Sequence, residues 1–103
     1  MTKPMRLRAT EANGITTVRV LVFHDMEPGT RRDPSGQLIP AHFITALEAT
    51  HQGKVILQAY WSGSVSKDPP LAFKFKGAAK GDKITVRWTD NKGESRSDEV
   101  VVA

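Results

Sequence analysis

The sequence predicts an all-β sandwich of about seven strands. Several short segments alternate apolar and polar residues with a period of two, the pattern of a strand buried on one face. Clusters of glycine, proline, asparagine and aspartate punctuate them. At 103 residues the chain suits a single domain over residues 1–103, large enough for one core without metal or disulfide staples.

The first strand is expected over Met5–Ala9, where apolar and basic residues alternate. Asn13-Gly14 is a strong hairpin signal. Thr16–Phe23 follows, with Val18, Val20 and Val22 on one face and Leu21 and Phe23 on the other. The third segment opens at Pro40. Phe43, Leu47 and Ala49 would share one face there, with Ile44 and Ala46 opposite. Residues 41–48 contain good helix formers, but Thr45 and Thr50 are β-branched and His51-Gln52-Gly53-Lys54 reads as a hairpin turn, so strand is preferred. Val55–Trp61 places Val55, Leu57, Ala59 and Trp61 on one face. Leu71–Lys76 sets Leu71, Phe73 and Phe75 against Lys74 and Lys76. Lys83–Asp90 turns Ile84, Val86 and Trp88 inward. Asn91-Lys92-Gly93-Glu94 is a turn, and Glu99–Ala103 closes the chain.

Two irregular stretches interrupt this order, residues 24–43 and 62–70. The first is too long for an ordinary connection. Pro28, Gly29, Pro34 and Gly36 break any periodicity within it, yet Met26, Leu38 and Ile39 are buriable. An ordered, functional loop is expected, anchored by those three side chains, with Arg31, Arg32 and Asp33 left outside for contact.

Composition excludes several functions. Cysteine is absent, which rules out disulfides, thiol nucleophiles and thiolate metal sites within these residues. The longest apolar block, Val20-Leu21-Val22-Phe23, is far too short to cross a membrane, so no membrane contact is expected. The basic N-terminus lacks an apolar stretch and is not read as a secretory signal; taken alone, that and the absent cysteine lean towards the cytoplasm. The net charge is +4, from 15 basic and 11 acidic residues, and favours acidic partners.

No catalytic constellation emerges. Ser62-Gly63-Ser64 lacks the flanks of a nucleophile elbow. Gly77 to Gly81 lacks the spacing of a phosphate loop. Asp25, Glu27 and Asp33 on a polar loop suit turn capping rather than acid–base work. His24 and Met26, at i and i+2, offer an imidazole and a thioether that suit copper, with His42 and His51 as further donors. Three scattered histidines without a thiol more often make hydrogen bonds, so neither metal nor cofactor is expected. Lys74-Phe75-Lys76 mixes base and aromatic as single-strand binders do, but Phe73 and Phe75 share Leu71's face and belong to the core. No nucleic-acid partner is expected. Lys74, Lys76, Lys83 and Arg87 are expected to form one basic stripe on two neighbouring strands, steering acidic partners.

The order and spacing of several motifs carry a resemblance through nearly the whole chain. They are Met5-Arg-Leu-Arg-Ala-Thr10, His24-Asp-Met-Glu-Pro-Gly29, Asp33, Gly36, Ile39-Pro-Ala-His-Phe-Ile44, Val65-Ser-Lys-Asp-Pro69, Phe73-Lys-Phe-Lys-Gly77, Gly81-Asp82 and Trp88-Thr-Asp-Asn-Lys-Gly93. The chain resembles the SoxZ family, the small subunits of the SoxYZ carrier of bacterial thiosulfate oxidation. Asp25 stands where proline is expected and Asp68 where asparagine is expected, so local loop geometry is in question there. The resemblance implies an immunoglobulin-like sandwich that forms a heterodimer with SoxY, whose C-terminal cysteine on a Gly-rich swinging arm carries the sulfur intermediates. It implies a non-enzymatic subunit with transient contacts to the other thiosulfate-oxidation enzymes. It also implies a periplasmic location reached by co-export with SoxY, against the cytoplasmic lean of composition. Partner-binding residues are expected among His24, Met26, Glu27, Arg31, Arg32, Asp33, Ile39, Pro40, His42, Phe43, Ser66, Lys67 and Asp68. The isolated chain is expected to be able to self-pair through a face meant for SoxY. The alternative is a stand-alone periplasmic copper-binding sandwich using His24 and Met26.

Overall fold

A computed structural model describes residues 2–103. Seven strands form two antiparallel sheets, and no helix occurs among the described residues. They are β1 (Arg6–Ala12), β2 (Ile15–Leu21), β3 (Ile44–His51), β4 (Lys54–Tyr60), β5 (Pro70–Lys76), β6 (Lys83–Asp90) and β7 (Ser95–Val101). One sheet has the order β1-β2-β5, the other β4-β3-β6-β7. This is the immunoglobulin-like sandwich with its fourth strand carried by the larger sheet rather than the smaller.

The core lies where the sequence periodicity puts it. Val18, Val20 and Val22 from β2 and its extension face Ile84, Val86 and Trp88 from β6, and all are buried. Burying each such side chain contributes about 1.5–3 kcal/mol. Leu71, Phe73 and Phe75 pack against this core from β5, half-buried. The Asn13-Gly14 turn joins β1 and β2 with both residues at positive φ, 55° and 82°, as a two-residue hairpin of this kind requires.

Two boundaries differ from the periodic reading. In β3 the partners shift register between Ile44 and Ala46. That bulge turns Ile44 inward, so it is fully buried beside Leu47 and Ala49 instead of lying opposite them. A second shift between Ala49 and Thr50 has the opposite effect on the neighbouring strand, where Val55 is exposed while Leu57, Ala59 and Trp61 pack inward. A bulge adds one residue to one strand and reverses the parity beyond it.

The last strand begins four residues earlier than expected, because its first inward positions are not apolar. Arg96 and Asp98 take them, joined by two hydrogen bonds of 2.8 and 2.9 Å. Asp98 also accepts the Met5 N–H, and Arg96 reaches the Thr2 hydroxyl. The chain end continues this seam: Ala103 donates to the Ala9 carbonyl and accepts from the Glu11 N–H. The β1–β7 side of the sandwich is thereby closed. On the opposite side, β4 and β5 are edge strands of different sheets.

The same topology corrects the expected basic stripe. Lys74 and Lys76 stand on β5, Lys83 and Arg87 on β6, and these strands belong to different sheets. The four cations cannot form one stripe.

Candidate functional site

The stretch between β2 and β3 is a β-arm rather than an open loop. Glu27 and His42 exchange backbone hydrogen bonds of 2.7 and 2.9 Å at its root. Arg32 pairs with Leu38 further out, and the Ile39 N–H reaches the Arg31 carbonyl. Asp33 organises the tip. Its carboxylate accepts the Ser35 N–H, the Ser35 hydroxyl and the Gln37 N–H at 2.6 to 3.0 Å. The Ser35 hydroxyl and the Gln37 N–H hold its pKa below the ordinary aspartate value. Asp33 is therefore a turn-building residue, with the bonds at its side chain made through Oδ1.

The arm's expected anchors divide. Met26 is buried at positive φ, and its sulfur lies 3.4 Å from the Ile44 N–H. Ile39 is half-buried. Leu38 is 53% exposed and anchors nothing, because the bridge to Arg32 fixes its backbone and turns its side chain outward. Arg31 stays at the surface but is bound to Glu27 through several N–H···O contacts, and Arg32 donates to the Gly36 carbonyl at 2.8 Å. At the root, the two irregular stretches meet: a Cβ built on Gly63 would lie 2.7 Å from the Pro28 Cα. No larger residue fits there without backbone movement.

Behind the arm root, His24, His42 and Asp90 converge. Asp90 Oδ2 lies 3.1 Å from His24 Nε2 and 2.7 Å from His42 Nε2. Asp90 Oδ1 accepts the N–H groups of Lys92 and Glu94. Burial pushes the Asp90 pKa up, but the two imidazoles and these two N–H groups outweigh it and hold the pKa below the ordinary value. His42 also meets Glu94 at 2.9 Å. His24 packs edge-on against both His42 and Trp88, with centroids 4.6 and 5.2 Å apart. A cleft of about 260 Å³ opens beside this cluster, lined by Phe23, Asp25, Lys67 and Glu94 among others.

Candidate ligand atoms of His24, His42 and Asp90 lie within 4.8 Å of one another, so the fit to a metal has to be judged by the donors. The Met26 N–H donates to His24 Nδ1 at 3.0 Å. That nitrogen is an acceptor, so the neutral ring carries its proton on Nε2 and donates it to Asp90. The ring has no free lone pair for a cation unless the Met26 bond breaks. His42 Nε2 is likewise engaged by two carboxylates. The copper pair of His24 and Met26 fares no better, since the thioether points into the core towards Ile44 while the imidazole turns to Asp90. His51, the third histidine, sits at the far end of β3, where it meets Asp82 at 2.8 Å. Seven residue steps of strand put it about 23 Å from the start of β3.

The remaining expected residues fall around the same end. Asp68 accepts the His24 N–H and returns its own N–H to the His24 carbonyl, each at 3.0 Å. It sits at φ 50°, a conformation that asparagine and aspartate both tolerate, so the exchange for asparagine leaves the loop geometry intact. Asp25 is exposed. Phe43 is half-buried; its N–H donates to Asn91 Oδ1 and its carbonyl accepts the Asn91 N–H, while Asn91 Nδ2 donates to the Ala41 carbonyl. Pro40, Ser66 and Lys67 are exposed. His24, Met26, His42 and Asp68 are thus gathered at the arm root, while Arg31, Arg32 and Asp33 lie out along the arm. The sequence reading missed Asp90, Asn91 and Glu94. Their signal was present, an aspartate opening the Asn-Lys-Gly turn, but only the folded chain brings that turn to the histidines.

The family model for "Sulphur oxidation protein SoxZ" matches residues 5–101. The chain belongs to the SoxZ family. Its sheets also superpose on solved structures of a superoxide reductase (neelaredoxin) from Archaeoglobus fulgidus, two variants in the reduced form. One has a TM-score of 0.63 at 21% identity, covering 99% of this chain and 90% of that chain. The other has a TM-score of 0.57 at 20% identity, covering 99% and 87%. At such identity the likeness is one of fold. No curated protein sequence matches the chain. Membership of the SoxZ family assigns the protein to the sulfur-oxidation system.

Proposed function

We propose that this protein is the non-catalytic subunit of a SoxYZ-type carrier of thiosulfate oxidation. It binds a SoxY-like subunit, whose C-terminal cysteine carries the sulfur intermediates, and presents that subunit to the Sox enzymes. The observation that carries this reading is the SoxZ match over residues 5–101. Two features of the chain support it. There is no cysteine, so a carrier thiol has to come from a partner. The polar cluster at the arm root is satisfied internally, with both imidazoles on Asp90, and presents no nucleophile beside a base.

The arm and its root form the partner-binding region in this reading. Leu38, Arg32 and Pro40 offer exposed side chains on an arm whose backbone is already paired, so little ordering entropy is lost on docking. No cofactor is involved. The pair works in the periplasm, reached by co-export with the partner. The test is co-expression with the cysteine-bearing partner, followed by size-exclusion chromatography with light scattering. A single heterodimer at micromolar concentration is expected; two independent monomers would overturn the reading.

A further inference from the structure

The outer face of β1-β2-β5 carries charge of one sign. Its register rows are Arg6↔Leu21↔Pro70, Arg8↔Arg19↔Ala72, Thr10↔Thr17↔Lys74 and Ala12↔Ile15↔Lys76. Five cations stand on these rows and not one carboxylate. Glu11, the only acid in the three strands, has the opposite parity and accepts the Gly14 N–H. Among the described residues Arg8, Arg19, Lys74 and Lys76 have no ion-pair partner, whereas Arg31, Lys83 and Arg96 each have one.

Arg8 and Arg19 stand directly opposite each other. Cross-strand neighbours have Cβ atoms about 4.5–5.5 Å apart, and like charges there are destabilising. With no carboxylate on these rows to pair with them, the two arginines concentrate positive charge at the middle of this face. An open groove of about 780 Å³ runs over the same face, with Leu21, Pro70 and Ala72 beside the arginines on the β2 and β5 side.

We propose that this face docks an acidic segment of a protein partner, its carboxylates meeting Arg6, Arg8 and Arg19 and its apolar side chains resting on Leu21, Pro70 and Ala72. Guanidinium groups match carboxylates in a bidentate fork. The apolar floor favours protein over nucleic acid. Single-stranded nucleic acid is held by stacking on aromatic rings, but Phe73 and Phe75 face the core, and the Phe23 ring is already taken by Lys3 and Arg6. This surface is separate from the arm, and the inference does not rest on the pairing with SoxY.

The test is titration of the isotopically labelled full chain with a short capped peptide of Glu-Glu-Leu repeats, followed by amide chemical shifts. The comparison ligands are an all-glutamate peptide of the same length and an oligothymidylate of matching charge. Shifts confined to β1, β2 and β5 are expected, with the leucine-bearing peptide binding tighter than the other two. Arg8→Gln/Arg19→Gln should weaken binding about tenfold at low salt while leaving the chain at least as stable as wild type, because it removes the opposed charges. Arg87→Gln/Lys54→Gln on the other sheet should change nothing. Shifts spread over both sheets, equal affinity for the all-glutamate peptide, tighter binding of the oligothymidylate, or unaltered binding by the Arg8/Arg19 variant would each overturn the proposal.

Discussion

Replacing Asp90 with alanine removes the acceptor of four hydrogen bonds at once, from His24, His42, Lys92 and Glu94. The losses are unequal. The Lys92 and Glu94 N–H groups lie in a surface turn and can turn to water. His42 has a quarter-exposed side chain and keeps Glu94. His24 is only 4% exposed at its side chain, and its Nε2–H is left buried with no acceptor. A stranded buried donor costs about 1–3 kcal/mol, and the lost charge-assisted bonds add to it. The sum is about 3–5 kcal/mol, the scale seen when one partner of a buried charged cluster is removed. A domain of this size has about 5–15 kcal/mol in total, so Asp90→Ala should lower Tm by roughly 15–30 °C. Urea denaturation followed by circular dichroism measures the free-energy loss, and thermal denaturation the shift in Tm. The pH dependence supplies a second check. The folded-state pKa of Asp90 is depressed, so its stabilisation is fully present above the unfolded value of about 3.9 and is lost as pH falls through the folded value. The gap between wild type and Asp90→Ala should therefore narrow on acidification below about pH 4. A loss under about 1 kcal/mol at neutral pH, or a gap that widens in acid, would refute this account of the cluster.

Three further outcomes follow from the arm. Gly63→Ala should destabilise by about 1–3 kcal/mol, as overpacking does, because its Cβ would meet the backbone of Pro28; urea denaturation reads this directly. Asp33→Ala should speed amide exchange at Ser35, Gly36 and Gln37 and leave core protection unchanged, since its carboxylate bonds only within the tip. Leu38→Ser should stay within about 0.5 kcal/mol of wild type in stability, as surface changes do, yet weaken capture of the SoxY-like partner in the heterodimer assay.

The strands were legible because alternation is a local signal. Val18, Val20 and Val22, or Ile84, Val86 and Trp88, need no knowledge of their partners to be read as inward. The reading failed where pairing overrides parity. The bulge at Ile44 moves a side chain from one face to the other, and nothing in residues 43–46 announces it. It failed again at β7, whose inward Arg96 and Asp98 satisfy each other and the N-terminal segment, so a polar sequence forms a buried-side strand. The candidate site was legible in part. His24 and His42 stood out as chemistry-bearing residues, but Asp90 is 48 residues beyond His42 and reads alone as a turn former. The basic stripe was misplaced for a related reason, since strand order across two sheets is not encoded in the alternation of either strand.

The unequal edges of the four-stranded sheet bear on how the chain behaves at high concentration. On β7 the inward-pointing Arg96 and Asp98 would have to be desolvated by any strand added beside them, and such charges guard an edge against pairing with another molecule. On β4 no inward-pointing charge stands, and Val55 and Tyr60 are exposed, 51% and 78%. Should copies of this chain add to one another's sheets, growth would start from the β4 edge and stop at β7, giving closed pairs in place of fibres.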